Sequence, residues 1–267
     1  MIASVRMYEW TPSLAAAWRR LLASVTARAG VPLTIDVSPS DSLDALWSGE
    51  DMGCVMMCGY PYARRASRPA ILAAPVPSPA RYNDRPVYVT DFVVRADSAY
   101  ARLEDTFGGR LAYSEETSHS GYNAARYHLL RYRSSARPSL FGEVRGPYHR
   151  QRAAIQAVLD HEADVAPIDG YAHDLLRRHD PVLAARLRVV ETTAPAPSPP
   201  LVASSRLDES ARERLTAALL EAHAMPDLAP VMEDVLLRRF VRVDERDFAL
   251  FLDWQRGAES AGYLKIR

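Results

Sequence analysis

Apolar residues recur along the chain with two periods, and the switches between them predict its elements. Leu14, Trp18, Leu21, Leu22 and Val25 share one helical face. Thr11 and Pro12 start that helix with a capping hydroxyl and a first-turn proline, and Gly30 closes it. Residues 33–37 alternate as a strand, 42–47 predict a short helix, and 53–58 form an unbroken apolar run that suits a buried strand. Residues 70–74 predict a further strand that ends at Pro75, Pro77 and Pro79. The order βαβαβ is the grammar of a mostly parallel sheet covered by helices.

A second α/β unit follows. Strands are expected at 87–94, 110–113, 140–144, 165–168 and 187–192, with helices at 120–132, 151–159 and 171–178. The densest proline run, residues 195–200, is the best connector, because prolines fix φ and stiffen an extended chain. Beyond a short extended piece at 201–204, the tail reads as helices at 208–224, 229–237 and 247–255. It has too few strands to fold by itself. The expected organisation is therefore one lobe from residues 1–83 plus 200–267 and a second lobe from 84–199. Two crossings would form a hinge, with a cleft between the lobes.

The 267 residues are 48% hydrophobic and 25% charged, the balance of a globular protein. Lys+Arg and Asp+Glu are both 33, so the formal net charge is zero. That argues against broad electrostatic binding to nucleic acid or anionic lipid, so any anion site must be local. The pairs Arg64-Arg65 and Arg238-Arg239, and Arg131 with Arg133, are balanced by acids and read as solvated faces. No run approaches the ~20 apolar residues of a membrane span. The N-terminus shows no export signal, so either the protein stays in the cytosol or such a signal lies outside this sequence. Cys54 and Cys58, set on one strand, would lie roughly 13 Å apart, too far for a disulfide. The seven histidines show no metal-ligand spacing, and neither a metal nor a cofactor is expected.

The most informative stretch runs from Ala112 to Arg126: a strand, a loop dense in hydroxyls, then a helix. At such a corner free backbone N–H groups and the helix dipole face outward, and Ser118 and Ser120 add hydroxyls. It can bind an oxyanion without net positive charge. The same serines also suit plain helix capping.

The run Ser118, Ser120, Gly121, Tyr122 and Asn123 resembles the Asn-acid-x-x-Ser-x-Ser-Gly-Tyr-Asn signature of the phosphate/phosphonate-binding proteins of bacterial ABC transporters, with Ser114 in place of the usual asparagine. Ala154-Ile155-Gln156-Ala157-Val158 and Ala163-Asp164-Val165-Ala166-Pro167-Ile168-Asp169 are similar to the same family's A-I-x-A-V and A-D-V-A-A-I-D segments. Cys58-Gly59-Tyr60-Pro61-Tyr62 looks like its first-lobe loop, and Met7-Tyr8-Glu9-Trp10 resembles its first strand-end.

The resemblance implies a two-lobed type 2 periplasmic-binding-protein fold, with two mixed sheets flanked by helices and joined by a two-segment hinge. It implies a monomeric solute-binding protein that takes a small oxyanion and delivers it to a transporter permease. Carried over residue by residue, Ser118, His119 and Ser120 would hold ligand oxygens. Asp169 would accept from a protonated oxyanion or an amine, or else cap a helix. Tyr8 and Tyr60 would form an aromatic clamp, or else pack in the core; Tyr122 is expected to pack.

Relatives usually carry Gly-Ser-His before the Ala-Ile-x-Ala-Val helix. Ungapped counting puts Gln151 at the histidine position, while a two-residue shift restores His149. The alternative function is a cytosolic enzyme of cofactor biosynthesis on the same fold, with His119, His149, Glu115 and Asp169 as acid and base, or else a ligand-sensing module.

Overall fold

The structure is a computed structural model that describes residues 1–35 and 42–267. The predicted strand at 33–37 is seen at Thr34–Ile35, and its last two residues lie outside the described ones. The chain divides into two compact units, the first from residues 1–87 and 197–247, the second from 88–196 and 248–267.

The first unit is built on a six-stranded mixed sheet. Its order is Leu237–Val241, Ala70–Pro77, Leu201–Ala203, Met52–Met56, Ile2–Ser4 and Thr34–Ile35. Ile2–Ser4 runs parallel to both of its neighbours, and the remaining pairs are antiparallel. Helix Pro12–Ala29 forms because Thr11 accepts from the Leu14 N–H at 3.2 Å and Gly30 takes a left-handed φ of 60° at its end. Its Leu14, Trp18, Leu21, Leu22 and Val25 are buried. It packs against helix Glu209–Glu221, which Asp208 caps through a 2.8 Å bond from the Ala211 N–H.

Two expectations fail here. Strand Ala70–Pro77 continues through Pro75 and Pro77 instead of stopping at 74. Its pairing with Leu201–Ala203 ends at Ala73, so the prolines sit where Leu237–Val241 supplies the paired neighbour. There a missing N–H costs least. Leu237 is expected as the last residue of the helix at 229–237, and no strand is expected at 238–241. That helix stops at Asp234, and Leu236, at φ 50°, turns the chain into the strand.

The second unit holds the antiparallel sheet Leu187–Thr192, Thr90–Arg95 and Ala166–Asp169. A parallel pair, Arg110–Ala112 with Glu143–Arg145, joins it through a bridge between Leu111 and Val165. Helix Gly170–His179 is tied to this sheet by a buried network. The Asp91 carboxylate lies 3.1 Å from His173 Nδ1 and accepts from the Thr192 hydroxyl at 2.8 Å.

The expected division changes at the C-terminus. Residues 248–267 belong to the second unit, not the first, so the chain crosses three times. The reason is burial. Phe251, Trp254 and Ala258 of helix Ala249–Ser260 are buried. Tyr263 and Ile266 enter the core of Phe92, Leu111, Tyr113 and Tyr122.

Candidate functional site

The hydroxyl-rich corner of the second unit begins at the end of strand Arg110–Ala112 and enters a π-helical turn, His119–Asn123, which continues as helix Ala124–Leu129. Ser118 is the cap: its Oγ accepts from the Gly121 N–H at 3.0 Å. The first two N–H groups of the turn, from His119 and Ser120, make no backbone hydrogen bond among the described residues. They are the donors a helix start leaves open.

Gly121 is required by close approach. A Cβ there would meet Ser114 Oγ at 2.0 Å and Ser118 Oγ at 3.0 Å. The Ser114 hydroxyl is buried and has no hydrogen-bond partner among the described residues.

Gln151, the first residue of helix Gln151–Leu159, reaches across this corner. Its Nε2 donates to Ser120 Oγ at 2.9 Å, and its Oε1 accepts from the Asp169 N–H at 2.6 Å. Asp169 in turn caps helix Gly170–His179, its Oδ1 accepting from the N–H groups of Tyr171 at 2.9 Å and Ala172 at 3.0 Å. Ser120, Gln151 and Asp169 thus form one chain of hydrogen bonds spanning three separate segments of sequence.

His149 lies elsewhere. Its side chain is 76% exposed, with Nδ1 2.6 Å from Glu115 Oε1. The N–H groups of Tyr148 and His149 bond to the carbonyls of Tyr113 and Ser114, and His149 takes a φ of 62°. This left-handed step, uncommon outside glycine, separates His149 on the surface from Gln151 on the corner.

The His119 side chain is likewise removed from the corner, although its backbone N–H stays there. Its ring is buried, 4.4 Å from Phe251 and 5.1 Å from Trp254 between centroids, and Tyr88 lies 5.9 Å away. Burial pushes its pKa down to about 3, so the imidazole is neutral. Asn123 ties the turn to the same C-terminal helix through a 3.0 Å bond to the Phe251 carbonyl. Tyr122 packs as expected. It stands 5.0 Å from Tyr113, and its hydroxyl accepts from the Ile266 N–H at 3.3 Å. Burial raises its pKa to about 12.

Tyr8 and Tyr60 belong to the first unit, and both are buried. Tyr8 stacks on Trp18 with ring centroids 6.5 Å apart, and the Arg64 guanidinium lies over the Tyr60 ring at 5.4 Å. An open pocket of that unit, about 350 Å³ between Tyr62, Arg68, Arg212 and Glu245, includes neither of them. Cys54 and Cys58 are buried and form no disulfide, and burial raises the Cys54 thiol to about 12. Among the described residues no group of three or more His, Cys, Asp or Glu is placed to hold a metal. No described helix is long and apolar enough to cross a membrane.

Between the two residues that the sequence leaves open, it is Gln151 and not His149 that bonds to Ser120 and Asp169, and its signal in the sequence is the ungapped count from Ile155.

Residues 8–248 match the family model described as "ABC transporter, phosphonate, periplasmic substrate-binding protein". No curated protein is matched. Among solved structures, a binding-protein component of an ABC phosphonate transporter from Pseudomonas aeruginosa superposes with a TM-score of 0.80 at 17% identity, over 98% of this chain and 86% of that one. PhnD1 from Prochlorococcus marinus, solved in complex with methylphosphonate, gives 0.77 at 14% identity, over 97% of each chain. XAC2383 from Xanthomonas citri, solved bound to ATP, gives 0.64 at 20%, over 98% of this chain and 97% of that one. At these identities each likeness is one of fold.

Proposed function

This chain belongs to the periplasmic substrate-binding proteins of phosphonate ABC transporters, and from that premise we propose that it holds a phosphonate-like oxyanion at the 118–120 turn. A small molecule and a transporter are the partners that the family implies.

The observation that carries the reading is the concentration of donors at one corner of a chain with zero formal net charge. The open N–H groups of His119 and Ser120, with the hydroxyls of Ser118 and Ser120 beside them, form an anion cradle built from dipoles. Asp169, already serving as a cap, closes its edge through Gln151. Tyr8 and Tyr60 act as packing residues of the first unit in this reading, and His149 takes no part. No observation favours the enzymatic alternative.

Calorimetric titration with methylphosphonate, phosphite, phosphate and sulfate tests the proposal. Saturable binding of at least one phosphorus oxyanion, with the ligand recovered unaltered after long incubation, is the expected result. Binding of none of the four would defeat it. We further propose a monomer, which light scattering behind a sizing column checks directly.

A further inference from the structure

We infer that Gln151 is the specificity-determining residue of the 118–120 turn: it fixes the Ser120 hydroxyl as a donor, so that the ligand atom met there must be an acceptor. The inference rests on the oxyanion reading above and deepens it.

The orientation of the Gln151 amide is set by its two partners. A backbone N–H can only donate, and that of Asp169 lies 2.6 Å from one end of the Gln151 amide. That end is therefore the oxygen. The other end is the NH₂ group, which can only donate, and it lies 2.9 Å from Ser120 Oγ. The serine oxygen must accept this bond, which leaves its own hydrogen to point elsewhere. Asp169 cannot swing away to release the amide. It ends strand Ala166–Asp169, and its carboxylate is bonded to the first N–H groups of helix Gly170–His179.

Ser118 is in the same condition. Its Oγ accepts from the Gly121 N–H, so its hydrogen too is left for another partner. With the N–H groups of His119 and Ser120, the turn offers donors throughout. An acceptor-only oxygen, as on a fully ionised phosphonate, completes such an array. An N–H group at the same place sets donor against donor, a protonated oxygen must send its own hydrogen elsewhere, and a desolvated donor without an acceptor is strongly penalised. A histidine here could switch between donor and acceptor with its tautomer and charge, whereas an amide pinned at both ends cannot.

The test is a double-mutant cycle between Gln151→Glu and Ser120→Ala, read by calorimetric titration with methylphosphonate. Glu keeps an acceptor for the Asp169 N–H but faces Ser120 with a second acceptor, so the hydroxyl turns to it and is lost to the ligand. Q151E should weaken binding by about 30-fold or more where Ser120 is present, since a bond to a charged oxygen is worth roughly that factor. In the S120A background it should cost at least about tenfold less, because only the repulsion of the new charge remains.

Equal losses in both backgrounds, or undiminished affinity in Q151E, would overturn the inference while leaving the oxyanion reading intact. A wild type that binds no oxyanion removes that reading itself, and the inference with it. If Q151E does not fold, as its melting curve will tell, the neutral Gln151→Met replaces it in the same cycle. Its loss should likewise shrink in S120A, and an equal loss in both backgrounds overturns the proposal.

Discussion

The rings of His119 and Phe251 meet edge to face, 4.4 Å between centroids at an interplanar angle of 86°. One comes from the donor-rich turn, and the other stands 132 positions later on the C-terminal helix. The contact explains why a histidine in the middle of the family signature has its side chain packed away. It also makes the tail part of the scaffold that positions the turn.

Phe251→Ala should therefore destabilise the protein by about 3–5 kcal/mol, the usual cost of emptying a fully buried phenylalanine site. The loss should be local in character. Amide hydrogen exchange at residues 119–129 should accelerate more than exchange in strand Met52–Met56 of the first unit. Equal acceleration in both would contradict the assignment of the tail to the second unit.

Burial of neutral His119 sets a pH dependence with a definite sign. Its folded pKa of about 3 lies below the roughly 6.5 of an unfolded histidine. Between these values the unfolded state binds more protons, so stability falls as pH drops through that window and is fully present above it. The slope from this group is at most about 1.4 kcal/mol per pH unit. Denaturant unfolding from pH 7 to 4 should show a shallower decline in His119→Phe than in the wild type. Parallel declines would show that the ring is not buried as a neutral group.

The choice between His149 and Gln151 can be read from affinity. His149→Ala removes only an exposed partner of Glu115, and it should change methylphosphonate affinity by less than about twofold. Ser120→Ala should weaken it by roughly 10- to 100-fold. A large effect of His149→Ala would return that residue to the site.

Gly121→Ala places a methyl 2.0 Å from Ser114 Oγ, so one of the two must move. The expected cost is about 1–3 kcal/mol of stability from overpacking, together with lower affinity. Ser114→Gly in the same chain removes the nearest clashing atom and leaves Ser118 Oγ, at 3.0 Å, as the remaining tight contact. Recovery of the melting temperature in the double variant checks the contact, and no recovery would assign the loss to the backbone of the turn.

What the sequence determined by itself was mostly local. Thr11, Ser42, Ser118 and Asp208 cap the helices that follow them, because a side-chain oxygen and a backbone N–H three residues on meet whatever the rest of the chain does. The serine-rich turn and the helix Gln151–Leu159 were legible for the same reason, and the family signature lies in such segments. Tertiary structure decided what depends on distant partners. Strand Leu237–Val241 owes its form to a neighbour at residues 74–77, and the prolines of that neighbour are tolerated because of where its other ladder ends. The destination of residues 248–267 was set by the burial of Phe251, Tyr263 and Ile266, apolar groups that would have suited either unit. Gln151 faces the turn because the loop before it is pinned to the carbonyls of Tyr113 and Ser114 and steps through a left-handed His149. Spacing within a segment fixes which atoms are neighbours along the chain; only the packing of segments brings the Gln151 amide between Ser120 and Asp169.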